Sequence, residues 1–221
     1  MRDKPGDNTP EAYAQLIQPA YQAIKRANFK ATVVGLGGEH SANHFEEIRG
    51  MFQHGAADAM DAFSVHSYRY PRTPEKSGLV EEIRRVLELA SDCGAPPRTW
   101  VTEIGWPTHT KTRGVDERTQ ARLCVRTLAL LQSIRSVEKV YWYDFKDDGL
   151  KPDYNEHNFG VIRHDRYELA PKPAAVAASV YARMTAAAKP LRLWQHNDAY
   201  AVVFKCPDGD QTAVAWAIGG S

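Results

Sequence analysis

The segment TWVTEIGW (99–106) decides the fold, because it is typical of a buried strand and is followed by a long helix predicted over 116–134. The same order of strand and helix occurs three more times, at 31–38 and 41–55, at 61–68 and 79–94, and at 139–145 and 173–184. Strands that alternate with helices of this length predict parallel β/α units whose strands are buried on both faces.

The two ends of the chain have different patterns. Thr9 and Pro10 begin an amphipathic helix predicted over 10–27. The tail alternates around PDGD (207–210), which predicts antiparallel strands joined by a tight turn. Periodicity alone fits the four β/α units either to a small open sheet or to half of an eight-stranded barrel.

Composition excludes several classes of partner. The 221 residues carry a formal net charge of +1 with acidic and basic residues interspersed, so we expect neither a nucleic-acid surface nor a polybasic membrane patch. The three cysteines, Cys93, Cys124 and Cys206, are far apart and predict free, buried thiols. The chain as given shows no signal peptide and no membrane span, which predicts a cytoplasmic location, although a start inside a larger protein would hide a signal upstream.

Acidic and aromatic residues collect where the predicted strands end. In parallel α/β proteins the reactive groups lie at these carboxyl ends. Carboxylates interleaved with aromatic rings suit a sugar, because rings stack on its apolar face and carboxylates handle its protons and hydroxyls. The ends carry, in chain order, Glu39 and His40; His66, Tyr68 and Tyr70; Glu103 and Trp106; and Trp142, Tyr143, Asp144, Asp147 and Asp148.

Each of these residues also has a structural interpretation. Glu103 can be the partner of a buried Arg or His, since buried carboxylates must be paired. Trp142 and Tyr143 lie on an apolar strand and can belong to the core.

The sequence gives little support for a metal or another cofactor. His40 and His44 have a metal-ligand spacing but lack a clear third ligand. The acidic stretch DDGLKPDYNE (147–156) does not fit an EF-hand and is interpreted as a solvated loop. We therefore expect no metal and no cofactor.

Several blocks resemble a known family when they are taken in order. The segments DAFSVHSY, TWVTEIGW, VYWYDFKDDG and NFGVI, with KPAAVAA beyond them, resemble the second half of the retaining clan A glycoside hydrolases, closest to family 39-type β-glycosidases. The resemblance implies an α/β fold in which 1–188 form four β/α units, a parallel half of a TIM-type barrel. It also implies a small antiparallel β tail at 189–221.

The resemblance also implies roles for individual residues. Glu103 matches the nucleophile at the end of the seventh barrel strand, in a glucosidase- or xylosidase-like enzyme with a carbohydrate substrate. The implied sugar contacts are His66, Tyr68, Trp106, Trp142, Tyr143 and Asp144.

One block of the family is not found in this chain. The family's acid/base glutamate lies in an Asn-Glu-Pro block at the end of the fourth strand, and that tripeptide does not occur here. Four routes stay open: Glu39 acts as the acid/base, two chains associate and rebuild the cleft, the chain binds sugars without cleaving them, or the chain is a fragment of a longer glycosidase. Because a half barrel leaves open edges, we expect a homo-oligomer, with a dimer favoured.

Overall fold

Strands and helices alternate along the chain in the computed structural model, which describes residues 9–37 and 44–218. The helices of this part are α1 (Pro10–Ala27), α2 (Phe45–Gln53), α3 (Leu79–Asp92), α4 (Glu117–Gln132) and α5 (Pro173–Met184). Its strands are β1 (Val34–Gly35), β2 (Ala62–His66), β3 (Thr99–Ile104), β4 (Val137–Trp142), β5 (Lys189–His196), β6 (Ala199–Lys205) and β7 (Gln211–Ala217).

The first four strands form one parallel sheet in the order β1-β2-β3-β4. Val34 of β1 pairs with Ala62 of β2 in parallel register, and Gly35 pairs with Phe63. Strand order follows chain order, because a helix returns the chain to the same end of the sheet after each strand. The predicted fold class, four parallel β/α units followed by a β tail, is confirmed.

Helix starts follow the capping signals in the sequence. The Thr9 hydroxyl accepts a hydrogen bond from the Ala12 amide (3.1 Å), and the Asp116 carboxylate accepts one from the Thr119 amide (2.8 Å). Each cap satisfies an amide that has no partner within its helix. The helix predicted over 41–55 is observed as α2, and the earlier part of that range, 41–43, lies outside the described residues.

The tail forms a separate antiparallel sheet in the order β5-β6-β7. Val202 of β6 pairs with Leu193 on one side and with Val214 on the other. This face of the sheet packs on α4 and α5, where the buried side chains are Ala129, Tyr181, Val202 and Phe204. The predicted antiparallel tail is confirmed, and its strands β6 and β7 are joined through PDGD (207–210).

Packing divides the chain into two compact units. The first unit contains the described residues up to Ser67 together with Glu81–Thr102, and the second contains Tyr68–Val80 together with Glu103 and the residues beyond it. The tail therefore packs within the second unit, and the domain boundary expected after residue 188 stays a prediction. All three thiols are free; Cys124 is buried as expected, whereas Cys93 and Cys206 are only half-buried.

Candidate active site

Glu103 lies near the carboxyl end of β3, between buried residues of the strand. Val101 and Ile104 are fully buried, whereas Glu103 is only partly covered. The Tyr68 hydroxyl donates a hydrogen bond to Oε2 of Glu103 over 2.9 Å. A short bond to a rigid aromatic side chain fixes the orientation of the carboxylate at the end of the strand.

The Tyr68 hydroxyl stays protonated. Burial, and next to it the Glu103 carboxylate, raise the pKa of Tyr68 far above its usual range. An ionised phenol beside a carboxylate would place two negative charges in a partly buried space. Tyr68 therefore acts as a hydrogen-bond donor to Glu103 over the whole ordinary pH range.

Four aromatic rings stand around this hydrogen bond, and we call Tyr68, Tyr70, Tyr143 and Phe159 the aromatic cluster. Tyr68 contacts the other three edge to face, with ring centroids 5.9, 6.2 and 5.7 Å away. Phe159 is 2% exposed and also meets Tyr70 and Tyr143, at 5.4 and 5.2 Å. Such pairs each stabilise by about 0.5–1.5 kcal/mol beyond the burial of their area. The cluster provides a rigid apolar wall beside Glu103.

Three further carboxylates approach the cluster, and we call Asp144, Asp148 and Glu156 the acidic rim. Burial, and then the rim together with Glu103, raise the pKa of Tyr143 to about 12. Burial also raises the pKa of Asp144, with Asp148 and Glu103 acting in the same direction. The Phe145 amide, through a hydrogen bond, and the nearby Lys146 ammonium act on the pKa of Asp144 in the opposite direction.

Glu156 is held in position by its neighbour. The Asn155 side-chain amide donates to Oε1 of Glu156 (2.6 Å) and contacts the Tyr70 hydroxyl at 3.4 Å. This amide ties one member of the acidic rim to the aromatic cluster.

The loop after β3 and the loop after β4 are held together by hydrogen bonds at their strand-proximal ends. The side-chain amide of Gln120 on α4 donates to the carbonyl of Trp106 (2.9 Å) and to the carbonyl of Phe159 (3.1 Å). The Tyr143 amide donates to the Ile104 carbonyl (2.9 Å). Only glycine fits at position 105, between the backbone of β3 and that of Tyr143, because a Cβ there would lie 1.8 Å from the Tyr143 carbonyl oxygen. The glycine in TEIGW is thus required by the close approach of two backbones.

The two tryptophans stack on each other and do not form two separate open ring surfaces for a sugar. Trp106 is 0% exposed, donates its indole N–H to the Arg72 carbonyl (3.0 Å) and stacks on Trp142 at 5.8 Å. Its ring therefore supports Trp142 and presents no open face. Trp142 is half-buried, and its indole N–H has no hydrogen-bond partner among the described residues. A buried donor of this kind can be satisfied by a ligand oxygen.

Tyr68 bonds to Glu103 and its ring contacts that of Tyr143, which Asp144 follows in the chain. The expected roles of these residues toward a sugar stay predictions. His66 belongs to the first unit, where a 2.9 Å hydrogen bond joins its Nε2 to the Thr102 hydroxyl. Glu39, the expected acid/base, lies outside the described residues.

Sequence reasoning missed Asn155, Glu156 and Phe159 as neighbours of the site. The first two lie in the stretch interpreted as a solvated loop, and Phe159 belongs to the NFGVI block of the resemblance. Their only signal was their position after the fourth strand, where site residues are expected.

Neither metal ligation nor membrane crossing has support in the described residues. In the ranges 9–37 and 44–218, no group of three His, Cys, Asp or Glu side chains is placed to hold a metal ion. Nδ1 of His44 lies 2.7 Å from Oε2 of Glu47, and His40 lies outside these ranges. No helix in the described part of the chain is long and apolar enough to cross a membrane.

The parallel β/α units and the site of carboxylates and aromatic rings are those of a glycoside hydrolase, and the comparison with protein families agrees. The chain belongs to the glycosyl hydrolase catalytic core family, whose model matches residues 6–159. No curated protein matches the chain.

Solved structures give the same fold. A family 39 glycoside hydrolase from the gut symbiont Bacteroides cellulosilyticus WH2 is 27% identical, with a TM-score of 0.78 over 98% of this chain and 46% of that one. A family 30 xylanase C from Talaromyces cellulolyticus is 13% identical, with a TM-score of 0.56 over 94% of this chain and 44% of its own. A family 17 β-1,3-glucanosyltransferase from Rhizomucor miehei is 15% identical, with a TM-score of 0.55 over 76% of this chain and 58% of that one. The chain therefore spans about half the length of these enzymes.

Proposed function

We propose that the chain is a retaining β-glycosidase, glucosidase- or xylosidase-like, in which Glu103 is the nucleophile. The observation that carries this proposal is the hydrogen bond from Tyr68 to Glu103 at the carboxyl end of β3. A nucleophilic carboxylate must be held in one orientation while it attacks the anomeric carbon, and a permanently protonated phenol provides that restraint.

The neighbouring groups have roles that follow from their chemistry. The aromatic cluster offers ring surface for the apolar face of a sugar. Trp142 supplies an indole N–H, and Asp144 supplies carboxylate oxygens, for sugar hydroxyls. Trp106 acts behind Trp142 as its support.

The reaction needs a second carboxyl group. In double displacement a carboxylic acid about 5–5.5 Å from the nucleophile protonates the leaving oxygen and later activates water. Glu39 is our candidate for this role. We expect weak activity that favours substrates whose leaving group needs no proton.

Trapping the covalent intermediate tests the nucleophile. A dinitrophenyl 2-deoxy-2-fluoro-β-glucoside or the matching xyloside should label Glu103, and the adduct should appear in its peptide by mass spectrometry. Glu103→Gln should give no adduct, while Glu88→Gln, which removes an exposed carboxylate on α3, should label like the parent. An active preparation labelled on another residue would overturn the assignment.

Azide rescue tests the second carboxyl group. Glu39→Ala should lose activity on a glycoside with a poor leaving group, which departs only when it is protonated. Its turnover of a dinitrophenyl glycoside should be limited by hydrolysis of the glycosyl-enzyme and should rise with azide, which needs no general base. Activity equal to that of the parent would remove Glu39 from the mechanism.

A non-catalytic carbohydrate-binding domain is the second candidate function. This candidate is favoured because the chain spans 46% of the family 39 chain. Half of a barrel supplies only part of a substrate cleft. This alternative predicts saturable binding of aryl glycosides, followed by nuclear magnetic resonance, with no turnover of any of them.

A further inference from the structure

We infer that Glu75 and Trp216 are positioning residues of the candidate active site. Through them the tail sheet holds the loop over 69–78, which follows Tyr68 and carries Tyr70, and we call this segment the site loop. The inference rests on the proposed function and deepens it, because it names residues that place groups of that same site. It is carried by one buried carboxylate and the hydrogen bonds that it accepts.

The site loop consists of two consecutive turns, each closed by a backbone hydrogen bond. The first turn carries Tyr70 of the aromatic cluster, and one of its carbonyls accepts the indole N–H of Trp106 over 3.0 Å. The second turn, TPEKS (73–77), has no aromatic side chain. It carries Glu75, which links the loop to α4 and to the tail sheet.

The side chain of Glu75 is 0% exposed and accepts hydrogen bonds on both of its oxygens. The guanidinium of Arg126 on α4 donates to Oε1 from Nε over 2.7 Å and to Oε2 from a terminal nitrogen. The indole N–H of Trp216 on β7 donates to Oε1 over 2.7 Å. A buried carboxylate requires such partners, because burial removes the water that would otherwise solvate its charge. One side chain thus joins the site loop to a helix and to a tail strand.

Trp216 is itself confined within the tail sheet. Its ring stacks on that of Tyr200 on the neighbouring strand β6, with centroids 5.6 Å apart and an angle of 7° between the planes. It also packs against the buried cluster that lies between the tail sheet and the helices α4 and α5. A ring held on several sides points its N–H in one direction, so the tail sheet determines where Glu75 finds this donor.

The site loop and the groups that it places belong to the same compact unit. Tyr68 begins the segment, and its hydroxyl donates to Glu103 over 2.9 Å. A hydrogen bond weakens steeply when its length or angle changes, so a shift of the loop that moves Tyr68 releases the nucleophilic carboxylate from its orientation. A tail residue therefore bears on the placement of Glu103 by way of the loop.

Hydrogen exchange tests the link without any substrate. Trp216→Phe keeps an aromatic ring to stack on Tyr200 and loses the N–H that donates to Glu75. In the full chain the amides of 69–78 should exchange at least about tenfold faster, measured by mass spectrometry, because a hydrogen bond to a buried charged group is lost. Exchange at the parent rate in this segment would overturn the inference.

A matched control separates this link from a general loss of stability. Val214→Ala changes the same strand and removes packing against the same buried cluster, but it keeps the Trp216 indole. It should lower the urea midpoint while the amides of 69–78 exchange as in the parent. If loop exchange instead rises in both variants in proportion to the stability lost, Trp216 acts only through the stability of the tail and the inference is wrong.

Turnover of aryl glycosides shows whether the link reaches the site. Trp216→Phe should lower kcat about 3- to 10-fold and leave KM within about twofold, because a displaced Tyr68 impairs the orientation of Glu103 rather than the binding of the ground state. Val214→Ala should keep the parent kcat at temperatures where it stays folded. A parent-level kcat in Trp216→Phe would overturn the positioning role.

The outcomes separate the two proposals. A parent chain that turns over aryl glycosides while Trp216→Phe matches it in kcat and in loop exchange would overturn the positioning role and leave the glycosidase proposal standing. A parent chain that turns over no glycoside would overturn the glycosidase proposal. In that case faster exchange of 69–78 in Trp216→Phe would still support the hold of the tail sheet on the loop, and exchange at the parent rate would overturn it.

Discussion

At the scale of single residues, the hydroxyl of Tyr68 is the group whose removal is most informative. Tyr68→Phe keeps the ring contacts to Tyr143 and Phe159 but loses the donor to Glu103. We expect turnover of aryl glycosides to fall about 10- to 100-fold, as for other removed positioning donors. Steady-state kinetics measures the loss, and parent-level turnover in the variant would contradict the role of Tyr68.

The control for that experiment lies in the same cluster. Tyr70→Phe also removes a phenol hydroxyl, but the described partner of that hydroxyl is Asn155, at 3.4 Å, rather than Glu103. Its turnover should stay within about threefold of the parent, since a long, partly buried hydrogen bond between neutral groups contributes little. Similar losses in both variants would point to a general disturbance of the cluster.

Gly105 gives a residue-scale prediction for stability. Gly105→Ala forces a Cβ against the Tyr143 carbonyl oxygen, 1.8 Å away, so the two backbones must separate. We expect the free energy of unfolding to fall by about 3 kcal/mol or more, as for an overpacked core position. Urea unfolding followed by fluorescence measures it.

Gly78→Ala is the comparison variant. Nothing lies within 4 Å of a Cβ at Gly78, and only its positive φ of +71° opposes a side chain. The Gly78→Ala substitution should lower the free energy of unfolding by about 1–2 kcal/mol. A Gly105→Ala variant no less stable than Gly78→Ala would show that the two backbones are not in close approach.

At the scale of elements, the start of α4 depends on Asp116. Its side chain accepts hydrogen bonds from the hydroxyl and the amide of Thr119, and these bonds lower the pKa of Asp116. Asp116→Ala should reduce the free energy of unfolding by about 1 kcal/mol. Asp92→Ala, at the carboxyl end of α3, should not reduce the free energy of unfolding, because a negative charge there interacts unfavourably with the helix dipole.

The effect of Asp116 should depend on pH. A carboxyl whose pKa is lower in the folded state stabilises the fold above its unfolded pKa, and this contribution is lost as the pH falls through the folded pKa. The difference between the parent and Asp116→Asn should therefore be full at pH 7 and shrink below about pH 4. Urea titrations at both pH values measure it, and a constant difference would contradict the assignment.

The elements were predictable to different extents. The ranges of α1 and α5 follow the sequence closely, because proline at the first turn and apolar spacing are local signals. The first strand was predicted over 31–38, and within the described part of that range, 31–37, it pairs with β2 at Val34–Gly35 alone. Pairing depends on a neighbour that local sequence does not reveal.

The site was predictable only where strand ends mark it. Glu103, Tyr68 and Tyr143 were found because they stand at or just beyond the ends of apolar strands. Glu156 and Asn155 were not, because a long loop decides by its tertiary contacts which side chains return to the sheet. The burial of Trp106 depends in the same way on its stacking with Trp142.

At the scale of the whole molecule, α5 carries an apolar stripe that predicts association. Val176, Val180 and Met184 follow one another at helical spacing and are 59%, 52% and 55% exposed. Exposed apolar stripes of this kind mark contact surfaces. We expect sedimentation at low micromolar concentration to show a dimer or larger oligomer, and a stable monomer would contradict this expectation.

A pair of variants locates the surface. Val180→Glu places a charge in the stripe and should shift the chain toward the monomer. Ala182→Glu adds the same charge at an exposed position of α5 outside the stripe and should leave the association unchanged. Equal effects of both would show that the stripe is not the contact.

The single amide of Gln120 has a consequence for redesigning this scaffold. Because it holds the loops after β3 and β4 at their bases, the outer parts of those loops, near Arg113 and near Asp148, are not needed to fix Glu103. Replacing segments there should leave the position of Glu103 unchanged, provided that Gln120 and the carbonyls it binds are kept. The outer loops and the placement of Glu103 are in this sense separable, and one buried helix residue marks the boundary between them.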